Sequence, residues 1–553
     1  MRKTALLLCL ATVAAAAAQP VRARHAMVVT REPHATDAGV AVLQAGGNAV
    51  DAAIAVGLAL AVTHPSAGNI GGGGFMLIRF ADGRSTFLDF RERAPDRASR
   101  TMYLDAAGKP TGDSVSGYRA AGVPGTVRGF ELASKKYGRK PWPDVLAPAI
   151  ALAQHGFPVS YGLAKSLRGS AEFLGRFPES KRIFLRDGKP YEAGETFVQP
   201  ELAHTLERIR TEGARDFYEG ETARLLAADM ERHGGLITAA DLRDYTVVER
   251  QPLTGSYRGY DILTAPLPSS GGVGILQMLG VLEGSGYEKS GAGSAAELHF
   301  LAETMRRYFA DRAAYMGDGD FVKVPVAALL DKKYIAQLRH SIDPEHATPS
   351  SQIHAAVLPG PESSETTHYS IVDAEGNAVS VTYTLNGGYG AGATVPGLGF
   401  LLNNEMDDFA AKPGEPNAYG LVQGEANAIQ PRKRPLSSMT PTIVTRAGKL
   451  DLVLGTPGGP TIMNSVLEVM LDVIDFGMNI QDAVDFPRIH HQWLPDDLVL
   501  ERGISPDTIA LLKARGHRVK TDATIGEVAA IQVRDGWLEG AADPRREGSA
   551  KGF

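Results

Sequence analysis

The sequence is short of what several protein classes need. It has one cysteine, Cys9, so no internal disulfide can form and a disulfide-stapled scaffold is excluded. No later stretch offers the roughly eighteen uninterrupted apolar residues of a membrane span, so no stable span is expected. There is no excess of positive charge either: 57 Lys and Arg stand against 63 Asp and Glu, a formal charge of −6. That balance offers no basic field to phosphates and argues against nucleic acid as a partner. No Gly-Lys-Ser/Thr follows Gly71 to Gly74, so the run reads as a close-packed turn rather than a phosphate cradle. A Gly-x-Ser-x-Gly elbow is missing, which argues against a serine α/β-hydrolase. His490 and His491 lack the helix spacing and acidic companions of a zinc site, so no metal is expected.

What is present fits an ordinary globular protein, with 44% hydrophobic and 22% charged residues in a 553-residue chain. Cys9 lies within MRKTALLLCLATVAAAAAQP, where Arg2 and Lys3 precede an apolar run and an Ala-x-Ala-like end near Ala16 to Ala18. This is the layout of a secretory signal peptide over residues 1 to 18, which predicts a periplasmic or secreted protein. A transmembrane anchor is a weaker alternative, because the run is short and alanine-dominated; lipidation at Cys9 is another, but it leaves a hydrophobic region of only about six residues against the usual ~7 to 15. Cleavage leaves a thiol-free mature chain and removes thiol catalysis and cysteine-ligated metals together.

Helical patterns are predicted for Ala38 to Gln44, for Ala49 to Val62 with Asn48 as cap, and for much of residues 120 to 345. The second of these is apolar nearly all round, as in a helix buried inside a layered core. Two apolar runs flank Asp82-Gly83 and predict a β-hairpin over residues 75 to 90. A Pro/Ser/Glu-rich stretch, PGPESSE at 359 to 365, reads as an exposed linker. Helices before and after alternating strands predict an α+β protein, or a layered αββα one.

Beyond the linker, period-2 alternation runs through HYSIVD and again through AVSVTYT, with turn residues at Asp373 to Asn377 between them. A three-residue loop with Gly376 at positive φ centres the turn on residue 375. Val379, Val381 and Tyr383 then share one face, Ser380, Thr382 and Thr384 the other, and Thr366 falls opposite Thr384. A Thr-Thr cross-strand pair is by itself an ordinary structural feature.

The stretch TTHYSIVDAEGNAVSVTYTLNGGYG, residues 366 to 390, resembles the characteristic motif of the γ-glutamyltransferases (glutathione hydrolases), members of the N-terminal nucleophile hydrolases. The likeness continues through LLNNEMDDF at 401 to 409, PLSSMTPT at 435 to 442, GTPGGP at 455 to 460 and RIHHQWLPD at 488 to 496. Upstream it takes in NIGGGGFM at 69 to 76 and LDFRERAP at 88 to 95, so it spans essentially the whole mature chain. The resemblance implies a four-layer αββα sandwich shared by two subunits cut from one precursor. The cut falls between Glu365 and Thr366, giving a large subunit, 19 to 365, and a small catalytic subunit, 366 to 553, that stay together as a heterodimer.

Roles follow position by position. Thr366 is the implied nucleophile; the strand pairing alone does not decide between Thr366 and Thr367. A freed α-amine, with a reference pKa of about 7.7 to 8.0, supplies the base that a threonine hydroxyl lacks. Thr384 orients the nucleophile, and Gly458 and Gly459 match the oxyanion loop. Arg91 matches the arginine that grips an α-carboxylate by a bidentate fork, with Ser437 and Ser438 on the same group. Asn386, Glu405 and Asp408 match the groups around the α-ammonium. Position 405 is glutamate where many bacterial relatives have glutamine. Residues 412 to 431, with Tyr419 at the tip, resemble a lid that excludes water. The implied activity is removal of the γ-glutamyl group from glutathione and related amides, through a Thr366 ester, to water, amino acids or dipeptides, with no cofactor. A cephalosporin or glutaryl acylase is the alternative within catalysis, and a processed but inactive binding protein the alternative outside it. A glutaryl group has no α-ammonium for these acids to hold, and nothing in the nucleophile hairpin departs from the motif.

Overall fold

The hairpin at the centre of the fold is set by its turn. Strands Thr367–Val372 and Ala378–Thr384 pair antiparallel, with Thr367 opposite Tyr383 and Val372 opposite Ala378, the register expected from the sequence. Gly376 takes φ +87° and donates its N–H to the Asp373 carbonyl. The Asp373 carboxylate accepts from the N–H groups of Glu375 and Asn377, and also from that of Ala49, the first residue of helix Ala49–Thr63. The turn is thereby tied to the start of the most deeply buried helix.

The computed structural model describes residues 18–353, 365–413 and 424–553. The predicted signal peptide, apart from its last residue, most of the linker and the tip of the predicted lid, Tyr419 included, lie outside them. The hairpin forms the middle of a seven-stranded sheet running Ser549–Gly552, Met27–Thr30, Thr367–Val372, Ala378–Thr384, Gly73–Arg79, Ser85–Asp89 and Val248–Arg250. A second seven-stranded sheet runs Val21–Ala23, Trp537–Ala542, Ala529–Arg534, Lys449–Gly455, Thr442–Arg446, Tyr260–Thr264 and Leu253–Tyr257. Each sheet draws strands from both sides of residue 366. A cut there leaves two chains hydrogen-bonded into common sheets.

Alternation along the strands sorts side chains into three apolar layers. Phe75, Leu77 and Val29 point between the sheets to meet Ile443, Val453 and Ile531. Met76, Ile78, Val379, Val381 and Tyr383 point outward against helices that include Ala49–Thr63, whose residues are all buried. On the far side the second sheet is covered by Gly271–Leu282, Ala295–Tyr315 and Thr461–Ile474. The order is helices, sheet, sheet, helices: the αββα sandwich expected. Each Val, Leu, Ile or Phe buried in these layers contributes about 1.5 to 3 kcal/mol, which makes the layers the main support of the hairpin.

The hairpin's other face is polar and still buried. His368 bonds the Thr382 hydroxyl at 2.8 Å and the Ser370 hydroxyl at 3.1 Å, while Ser370 and Ser380 donate to carbonyls of Ala529 and Leu454 in the second sheet. These hydrogen bonds fix the spacing of the two sheets along a line that ends at Thr384 and Thr366.

Helix Pro33–Gln44 begins earlier than its sequence pattern suggests, because Glu32 caps it through the N–H groups of His34 and Ala35. The region from 120 to 345 is mainly helical, but it also supplies three strands, Val248–Arg250, Leu253–Tyr257 and Tyr260–Thr264. The last two close around Arg258-Gly259, both at positive φ, and sit at the edge of the second sheet. Among the described residues no helix is long and apolar enough to cross a membrane.

Candidate active site

A small pocket opens where the hairpin's end meets loops from both sheets. It is lined by Arg91, Thr366, Thr384, Asn386, Glu405, Asp408, Ser437, Ser438 and Gly459, with Met439 and Ile462 as apolar walls. Every substrate or catalytic residue named from the sequence is therefore here except Gly458, which adjoins Gly459 in the loop behind. Gly458 and Gly459 have φ of +134° and +56°, and their carbonyls accept from Thr461 and Ile462 as helix Thr461–Ile474 begins. The loop is at once the predicted oxyanion turn and the start of a core helix.

The chain is continuous through Glu365 and Thr366. The Thr366 hydroxyl donates to that of Thr384 at 3.4 Å, a long bond, and Thr384 donates in turn to the Glu365 carbonyl at 3.0 Å. The backbone N–H of Asn386 donates to the Thr384 oxygen at 2.8 Å. Thr384 thus touches both the hydroxyl and the carbonyl that a self-cleavage must join. Asn386 holds φ +75°, a conformation uncommon for a non-glycine residue and typical of functional sites; its side-chain amide donates to the Asn404 carbonyl at 3.0 Å.

Arg91 is buried, and its guanidinium lies between Glu405 and Asp408, with Glu92 at 3.7 Å. It also donates to the carbonyls of Pro435 and Leu436. The residues expected at opposite ends of a bound amino acid pair with one another here. Burial pushes the carboxyls of Glu92 and Glu405 up, to about 7 and about 8, against the pull of Arg91. For Arg91 burial works against the charge, and Glu405, Asp408 and Glu92 more than restore it. Three carboxyls around one guanidinium cannot all ionise freely, so Glu92 and Glu405 retain proton density near neutrality.

Ser437 accepts from the N–H of Met439 at 3.1 Å, and Ser438 accepts from Arg312 at 3.0 Å. Arg312 also donates to the Ser270 hydroxyl, so a buried cation on helix Ala295–Tyr315 orients Ser438. Sequence reasoning missed Arg312, as it missed Glu92 and Asn69. Asn69 donates to the Thr384 carbonyl at 2.9 Å and accepts from the Gly72 N–H at 3.0 Å, holding the end of strand Ala378–Thr384 against the glycine run. Glu92 carried a signal, an acid set between two arginines, Arg91 and Arg93, just after strand Ser85–Asp89. Arg312 carried none, being one of several charges on a long helix.

A donor set of one fork-shaped cation, two hydroxyls and converging carboxylates suits a zwitterionic amino acid head group. A hydroxyl beside it is poised for acyl transfer. The family model described as Gamma-glutamyltranspeptidase matches residues 35–553. The chain is 51% identical over 529 residues to the glutathione hydrolase proenzyme of Escherichia coli, covering 95% of this chain and 91% of that one. Among solved structures, cephalosporin acylase from Bacillus halodurans is similar with a TM-score of 0.86 at 27% identity, covering 99% of each chain. Gamma-glutamyltranspeptidase of Helicobacter pylori gives a TM-score of 0.58 at 47% identity, over 58% of this chain and 93% of that one.

Proposed function

The chain belongs to the gamma-glutamyltranspeptidase family, and on that premise we propose that it is a proenzyme that cuts itself before Thr366 and then works as a γ-glutamyltransferase and glutathione hydrolase. The observation that carries this reading is the Thr384 hydroxyl, which accepts from Thr366 and donates to the Glu365 carbonyl at the mouth of a pocket built for an amino acid head group.

In self-cleavage the Thr366 hydroxyl adds to the Glu365 carbonyl carbon, whose oxygen Thr384 already polarises. The amide C–N bond breaks, the nitrogen takes up the hydroxyl proton, and an ester joins Glu365 to the Thr366 side chain. Water then hydrolyses the ester, leaving a carboxylate on Glu365 and a free hydroxyl and α-amine on Thr366. Residues 19 to 365 and 366 to 553 remain one heterodimer, because both sheets contain strands from each.

In turnover that α-amine takes the proton of its own hydroxyl, directly or through water. The oxygen adds to the γ-carbonyl of the donor, and N–H groups of the Gly458-Gly459 loop stabilise the developing oxyanion. Arg91, Ser437 and Ser438 hold the donor's α-carboxylate; Asn386, Glu405 and Asp408 hold its α-ammonium. The leaving amine takes up a proton, and water, an amino acid or a dipeptide resolves the Thr366 ester. The acids at 405 and 408 favour γ-glutamyl donors over glutaryl ones, which carry no ammonium. With residues 1 to 18 as an export signal, this work is done in the periplasm or outside the cell.

A denaturing gel with N-terminal sequencing tests the core of the proposal: two fragments are expected, the smaller beginning at Thr366. Thr366→Ala should remain one chain and release no p-nitroaniline from γ-glutamyl-p-nitroanilide. Release by that variant would exclude Thr366 as the nucleophile.

A further inference from the structure

A second cavity, of about 490 Å³, reaches the scissile bond from the residue before it. Glu365 lines this cavity as Thr366 lines the glutamyl pocket. Most of its charges are already engaged. Glu32 accepts from the N–H groups of His34 and Ala35 and from the Thr63 hydroxyl; Glu547 accepts from the Ser160 hydroxyl and the Gly162 N–H. Arg31 pairs with Glu527, and Arg545 with Glu501 and Asp543. Two cations remain. Lys165, on helix Tyr161–Leu174, and Arg546 line the cavity, are exposed, and make no ion pair with any described residue.

We infer that this cavity receives the carboxylate end of the peptide on the far side of the γ-glutamyl bond. That peptide is cysteinylglycine as it leaves, or a dipeptide as it enters as acceptor, and Lys165 and Arg546 are the cations that meet it. The inference rests on the γ-glutamyl chemistry proposed above. Reach supports it. A dipeptide spans at most about 7 Å, and Glu365 lies one Cα step, about 3.8 Å, from Thr366. A peptide whose amine departs as the Thr366 ester forms therefore has the length to reach from Thr366 into the cavity that Glu365 lines. In the uncut chain Glu365 itself occupies this approach, and cutting the bond turns it into a chain end that can withdraw. Charge supports it too, since a carboxylate gains a charge-assisted bond to ammonium or guanidinium that a carboxamide does not.

The test compares two donors that differ by one charge: glutathione, and glutathione whose glycine carboxylate is replaced by a carboxamide. The wild-type enzyme should prefer glutathione in kcat/KM by about tenfold, the worth of one charge-assisted bond near the surface. The Lys165→Ala/Arg546→Ala double variant should bring that ratio close to one. Lys165→Ala alone, at an exposed helix position, should lower it part of the way, and it keeps the test available if the double variant does not mature. A wild-type ratio of one, or variants that keep the wild-type preference, would overturn the site. A wild-type protein without a Thr366 amino terminus and without p-nitroaniline release would instead overturn the underlying reading, and this one with it.

Discussion

Arg91 is a side chain whose partners in the folded protein differ from the one its motif suggests. The fork-shaped donor predicted for a carboxylate is there, buried at the floor of the pocket, but Glu405 and Asp408 hold it. In the proposed donor complex, a zwitterion would replace this internal pairing with two external ones, its carboxylate on Arg91 and its ammonium on the acids. The protein thus keeps its buried cation compensated in both states, which an isolated buried charge could not be without a large penalty. Lysine would keep the charge but lose the fork, and its single nitrogen cannot serve Glu405, Asp408 and two backbone carbonyls together. Arg91→Lys should raise the donor KM about 10- to 100-fold while kcat changes far less, as expected for lost ground-state binding. Steady-state assays with γ-glutamyl-p-nitroanilide check this, and an unchanged KM would remove Arg91 from the carboxylate site. The motifs identify residues 91, 405 and 408, but their mutual pairing spans more than three hundred positions. It exists only once the sheets have stacked, so no local pattern contains it.

The hairpin of Thr367–Val372 and Ala378–Thr384, by contrast, is local. Asp373, Gly376 and Asn377 fix its turn, and the turn fixes the register that brings Thr366 to Thr384, so both were legible before any tertiary contact was known. The glycine run beside it was legible as a close-packed turn, though not for what it packs against. A Cβ on Gly72 would lie 2.1 Å from the Thr384 carbonyl oxygen, an impossible contact with backbone. Glycine at 72 therefore lets the neighbouring strand approach closely enough for Asn69 to grip Thr384. Gly72→Ala must push the strand end away by about an ångström, and a displacement of that size costs on the order of 10²-fold in rate at a reacting centre. Self-cleavage of the purified precursor, followed by the appearance of the Thr366 fragment on a gel, should slow by at least about tenfold. Processing at the wild-type rate would show that the strand has slack. The edge strands Leu253–Tyr257 and Tyr260–Thr264 were the least legible elements. Their short segments LTGSY and YDILT show no clean alternation inside a helix-rich region, and they are strands because Thr442–Arg446 supplies an edge to pair with.

The molecule as a whole stores a pH dependence away from its site. Glu297, near the start of helix Ala295–Tyr315, lies with Glu468 and Asp472 of helix Thr461–Ile474 around a small pocket walled by Leu298, Leu301, Leu471 and Phe486. Residues 468 and 472 are four apart on one helical face, so all three carboxyls share the seam between two helices of the outer layer. Burial pushes Glu297 up to about 8, against the Gly293 N–H bond, and holds Glu468 and Asp472 well above the usual carboxylate range; these two are further raised by acidic neighbours, Glu297 among them, and opposed by Arg488. In the unfolded chain the same groups ionise near 4. Above the unfolded values the folded state binds more protons than the unfolded one, so the contribution of these carboxyls to stability falls as pH rises from about 4, that of Glu297 through about 8. Glu297→Gln keeps the acceptor for the Gly293 N–H, bonded at 3.2 Å, while removing one titration. Its Tm should match wild type at pH 5 and exceed it at pH 9 by on the order of 2 °C, with the gap opening across the interval between. Thermal melts at pH 5, 7 and 9 decide this, and a gap that does not vary with pH would mean that Glu297 does not titrate in the folded protein. Because helix Thr461–Ile474 begins at the Gly458-Gly459 loop, the seam these carboxyls share is also the support of the proposed oxyanion site.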